Sequence, residues 1–147
     1  MSLSSKRVIL HLITWSGVLI FWVSLTRSHH PTLVVAIAAT AALVSACALA
    51  VYVNALWLVP KFAKRRLWLQ YVAGLLTVVG VLDFMAVISI QLIYDRFQVP
   101  REGRYGFWFN MAADGFGIIL HVAASVLVMW MAKYFREGRA ERRPVRD

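Results

Sequence analysis

Residues 68–94 read WLQYVAGLLTVVGVLDFMAVISIQLIY, and Asp83 is the only acid or base in the run. A helix of that length spans about 40 Å at 1.5 Å per residue, enough to cross a hydrocarbon core of about 30 Å. In water the same run exposes more apolar surface than a short chain covers. Working outward, three further runs of this kind, roughly 8–26, 32–59 and 107–133, fill most of the 147 residues. A lipid-exposed backbone must satisfy its own hydrogen bonds, and no alternating barrel pattern is present, so each run is predicted to be a helix. The expected fold is an all-α, integral membrane four-helix bundle. Its transmembrane domain is 1–134, and 135–147 form a short basic tail.

Composition agrees. Hydrophobic residues make up 61% of the chain and charged residues 16%, against about 25% charged in soluble proteins. The net charge of +9 does not point to nucleic acid, because the basic residues gather at the ends of the runs, where anionic headgroups attract them. Of 16 Lys and Arg, 12 fall on one side: Lys6, Arg7, Lys61, Lys64, Arg65, Arg66, Lys133 and the tail arginines. The other side has Arg27, Arg96, Arg101 and Arg104. The positive-inside rule then puts both termini in the cytoplasm of a bacterial inner membrane. Residues 8–25 superficially look like a signal peptide, but Arg27-Ser28-His29-His30-Pro31 follows instead of a small-residue cleavage site, so this run is expected to remain as the first span. Trp57, Trp68, Tyr71, Tyr94, Tyr105 and Trp108 at the run ends suit interfacial belts.

Polar residues at bilayer depth are the first candidates for function. Counted from the cytoplasmic ends, Asp83 and His121 lie at similar depth, roughly 22 and 18 Å, so they are expected to form either a proton- or ligand-sensing pair or a structural hydrogen bond. Asp114 and Asn110 lie higher in span four. With Arg96, Arg101, Arg104, Tyr105, Phe107 and Trp108 they are expected to line a shallow outward-facing pocket, or else Asp114 simply pairs with a loop arginine. Ala38, Ala42, Ala46 and Ala50 form a small-residue ladder that admits a close helix, either within the bundle or at a dimer face. Gly117, in a similar row on span four, is expected to pack against it. A bis-histidine haem between His11 and His121 is disfavoured by an offset of about 13 Å. The lone Cys47 reads as a packing residue, and no metal-ligand spacing, phosphate-cradling loop or catalytic triad is visible, so no cofactor, metal or enzyme activity is expected.

The segment Tyr52-Val53-Asn54-Ala55-Leu56-Trp57-Leu58-Val59-Pro60-Lys61-Phe62-Ala63-Lys64-Arg65-Arg66 and the following Tyr71 resemble the N-terminal membrane region of Lyt-type sensor histidine kinases. The matching elements are Tyr52, Asn54, Pro60, Phe62, the basic pair Lys64 and Arg65, and Tyr71; Lys6, Arg7, His11 and Trp15 also look like the opening of those proteins. A shorter likeness, Gly115 to His121, is to a domain found beside Lyt-type transcription regulators. The resemblance implies a sensory module whose fourth span leads towards a phosphoacceptor and an ATP-binding domain, and the sequence to Asp147 reaches neither. It implies a cytoplasmic signalling partner, and a homodimer or larger membrane complex in membrane lipid. The other readings are an accessory subunit of a larger membrane complex and a small proton or solute transport protein. Independently of the resemblance, Pro60 lacks an amide donor and is expected to end span two, while Asn54 is placed to bond across helices.

Overall fold

The computed structural model describes residues 3–104 and 106–141. It is all-α: four helices, α1 (Leu3–Thr26), α2 (Leu33–Val53), α3 (Trp68–Arg96) and α4 (Phe107–Glu141), each long and apolar enough to cross a membrane. They run up and down in turn, so the N-terminal end of α1 meets the end of α2 through His11 and Trp15 at Tyr52, and the end of α3 meets the turn before α2 through Tyr94 at His30. After the orientation expected from charge, the first of these ends is called inner and the second outer. Short connectors force this antiparallel order.

The helix α2 is the hub, packing against each of the other three. Its sequence explains why. Ala36, Ala39, Ala46, Cys47 and Ala50 are small and buried, which lets neighbouring backbones close on it from several directions. One core cluster joins Ala46, Cys47 and Ala50 to Val79 and Ala86 of α3 and to Ile118 and Val122 of α4; a second, further out, joins Val35 and Ala39 to Ile90, Tyr94 and Val99. The ladder therefore faces α3 and α4 inside the bundle: Ala46 and Ala50 are buried, Ala38 and Ala42 half-buried. By contrast, none of the most apolar window of α1 is buried, so α1 leans on the bundle from outside.

The start of α2 is capped by Thr32, whose side chain accepts from the Val35 amide. At the other end the helix does not stop before Pro60. It widens into a π turn over Asn54–Leu58, where the Val59 amide reaches back to the Asn54 carbonyl, then closes with a last turn, Val59–Lys61. The wide turn shifts the bonding register just where proline would otherwise collide with the carbonyl four residues back and leave it unpaired. The chain turns with Arg66 at a φ of 60°, and α3 begins at Trp68.

The aromatic positions divide. Trp57, Trp68 and Trp108 are exposed near helix ends, as interfacial residues should be, whereas Tyr94 is 7% exposed and belongs to the outer core cluster. The expected belt role of Tyr94 is thus corrected: its hydroxyl finds His30, so the ring is stable inside. Tyr105 lies outside the described residues.

Candidate functional site

At the end of the bundle that carries the α1–α2 and α3–α4 connections, the outer end in the orientation expected from charge, a partly enclosed cavity of about 170 Å³ remains. On α4 it is bounded by Phe109, Asn110, Ala113 and Asp114, which recur at helical spacing. Trp22 and Thr26 of α1, Thr40 of α2 and Tyr94 of α3 supply the other walls, and His29 and His30 the rim. Two of these walls are joined by the hydroxyls of Thr26 and Thr40, 3.4 Å apart. The Tyr94 hydroxyl lies 3.2 Å from Nδ1 of His30. Burial, followed by the charges of His29 and Arg27, holds the His30 imidazole below its usual value of 6.5.

Asp114 and Asn110 thus line an outer cavity, but the companions expected for them do not. Arg96, Arg101, Arg104, Phe107 and Trp108 are absent from its walls. Arg104 is held elsewhere, donating to the Asp95 carboxylate at 2.6 Å and through Nε to the Val99 carbonyl at 2.9 Å. Phe107 packs its ring on Phe84 and Trp108. The reason is that α4 starts at Phe107, whose ring is turned onto Phe84 of α3, so the cavity face of the helix is taken up by Phe109 and Asn110 and, one turn on, by Ala113 and Asp114. Trp22, Thr26, Thr40 and Tyr94 went unassigned to any site by sequence reasoning. The one available signal was that Thr40 interrupts an otherwise apolar stretch of span two.

Asp83 lies beneath the cavity, 4% exposed, its Oδ1 buried without a hydrogen-bond partner. Its other oxygen faces Gly115: a Cβ there would stand 2.9 Å from Oδ2. The carboxyl groups of Asp83 and Asp114 are near enough to interact electrostatically.

His121 is not its partner, which corrects the expected pairing. Trp22 Nε1 donates to His121 Nε2 at 3.3 Å, and His121 Nδ1 donates to the Gly117 carbonyl at 2.8 Å, a pattern that places the ring proton on Nδ1. Asp83 is 15 residues from Trp68 yet faces Gly115, 18 residues from Lys133, because the charged helix ends used for counting are not level. From Gly115 to His121 the helix climbs about 9 Å and turns by roughly 240°, so His121 points towards α1. There, with Thr14, Gly17, Val18, Phe21 and Trp22, it edges an open groove between α1 and α4.

Gly117 is also corrected as a packing residue. A Cβ on it would meet nothing within 4 Å, whereas Gly115 is the close approach, made to α3 and not to the ladder of α2. The contact of α4 with the ladder is carried by Ile118 and Val122.

The residues that carry the kinase resemblance gather at the inner end. Asn54 is fully buried at the π turn and accepts a hydrogen bond from the Tyr71 hydroxyl at 2.9 Å, while Trp15 donates to the Tyr52 hydroxyl at 3.0 Å. The Asn54 Nδ2 is buried without a partner. Lys61 sits over the Trp57 ring at 4.7 Å, and Phe62 meets the same ring edge-on. Lys64 and Arg65 are exposed in the turn. Tyr52, Asn54 and Tyr71 thus tie three helices together, as polar interhelical bonds do in membranes at about 1 kcal/mol each. Among the described residues no group of three or more His, Cys, Asp or Glu is arranged to hold a metal ion.

No family model matches the chain, and neither a curated protein nor a solved structure matches it.

Proposed function

We propose that this chain is a membrane-embedded sensing module, like the input region of a Lyt-type sensor histidine kinase, that converts occupancy of the outer cavity into movement at the inner end of α4. The observation that carries this reading is the continuity of α4. The helix that contributes Asn110, Ala113 and Asp114 to the cavity runs unbroken over 35 residues to Glu141. From Asp114 to Lys133 that is about 28 Å of rigid rod. Because α1 offers α4 little more than the Trp22 to His121 bond, α4 is held mainly by α2 and α3, against which it can slide or rotate. A ligand biases such a movement only by binding its two positions unequally. The concentration of Lys and Arg at the inner ends supports a cytoplasmic location for both termini, in a bacterial inner membrane, with a signalling partner beyond Lys133 and a second copy or larger complex alongside.

The test uses the cavity itself. With Cys47 replaced by Ala, spin labels are placed on cysteines at Lys64 and Tyr134, both exposed at the inner end. Ala113→Phe then fills the cavity from an exposed position. The distance between labels in lipid nanodiscs should shift by about 1–2 Å or gain a second population, the range of helix shifts in signalling proteins. The same two cysteines should be shielded from an impermeant thiol reagent in intact cells. An unchanged distance distribution refutes transmission through α4, and labelling from outside refutes the orientation.

A further inference from the structure

We infer that the outer cavity is a binding site for a small organic ammonium ion, its charge placed against Asp114 and its alkyl part against the apolar and aromatic walls. This assignment rests on reading the cavity as the module's input.

The argument begins with charge. Asp114 is the one carboxyl in the lining, and among the described residues it has neither a hydrogen bond nor an ion pair. Of the arginines at this end, Arg104 is committed to Asp95 and Val99 and Arg27 to the His30 carbonyl at 2.9 Å, while Arg96 and Arg101 do not line the cavity. Asp83 lies below, its carboxyl near enough to interact with that of Asp114 and with one oxygen buried and unpartnered, so it supplies no counter-charge. An uncompensated carboxylate at this depth is costly, and a cation that enters beside it recovers that cost. On the rim, the His30 ring shares Nδ1 with Tyr94 and stays uncharged at neutral pH, so it does not repel a cation.

The walls then select the kind of cation. The chelating geometry a divalent metal needs is missing among the described residues. Instead, Trp22, Tyr94 and Phe109 present rings, which attract cations through their negative faces. Ala39, Leu43, Ile90 and Ala113 offer contact to an alkyl chain. A volume of about 170 Å³ equals the liquid share of roughly five or six waters, which suits a ligand of few heavy atoms. One charge, a small apolar body and aromatic neighbours describe a short-chain amine in its protonated form. An anion would meet Asp114 unscreened, and a neutral alcohol would leave the carboxylate without a counter-charge.

The probes are n-butylammonium, 1-butanol and butyrate, which share a chain and differ in charge, titrated calorimetrically into the full chain in nanodiscs. Butylammonium should bind at least about tenfold more tightly than butanol, as expected for a charge-assisted hydrogen bond, and butyrate should not bind. Asp114→Asn should remove that preference and leave butanol unchanged. Ala113→Phe, which keeps the carboxyl but fills the space, should abolish binding of butylammonium as well. Equal binding of all three probes, a preference for butyrate, or butylammonium binding that survives Ala113→Phe overturns the site. If butylammonium fails while Ala113→Phe still moves the inner-end labels, the ligand class is wrong and transmission through α4 stands.

Discussion

Asp83 of α3 is seated on Gly115 of α4, so close that a methyl group at 115 would stand 2.9 Å from its Oδ2 and 3.4 Å from its Cγ. A short, buried side chain has few places to go, so this contact sets how near α3 and α4 approach.

Gly115→Ala should therefore destabilise the bundle by about 1–3 kcal/mol through overpacking, even though alanine is the better helix former. Gly117→Ala, two residues away in open space, should be neutral or stabilising. Asp83→Ala should make Gly115→Ala tolerable, giving a non-additive cycle in detergent melting experiments. Equal melting shifts for the two glycine variants contradict the close contact.

The alanine ladder gives a second expectation. Ala46 is 5% exposed between α3 and α4, whereas Leu49 is 52% exposed on the same helix. Ala46→Leu should cost several kcal/mol or block folding, since added bulk in a tight core forces helices apart. Leu49→Ala should lower stability in lipid by well under half as much. Chemical denaturation of both variants in mixed micelles decides it; comparable losses contradict the buried ladder.

His30 makes stability depend on pH. Its value in the folded chain lies below the ordinary 6.5, chiefly because it is partly buried, so the unfolded chain binds the proton more readily. Its contribution is complete above about 6.5 and declines as pH falls from there through the folded value. Melting temperature should thus drop between neutral pH and pH 5, and His30→Gln should flatten that part of the profile. An identical slope in the variant refutes the assignment to His30.

Four helices and their order follow from the chain by itself, because a bilayer demands about 20 apolar residues per crossing and a backbone that bonds to itself, a condition residues 68–94 announce directly. The connectors, too short for anything but hairpins, likewise require antiparallel neighbours. Asn54 was legible as an interhelical donor or acceptor because an amide inside an apolar stretch has few alternatives. What only the tertiary structure decided is rotation about each helix axis and height along it. Lipid-facing and core-facing positions are both apolar in a membrane protein, so no polar stripe marks the inner face. That is why Gly115 and not Gly117 makes the close approach, why Tyr94 turns inward to His30, and why His121 meets Trp22 while Asp83, some 9 Å away along α4, does not. It is also why Asn110 and Asp114 of span four were legible as lining a pocket, whereas its walls from the other three helices were not.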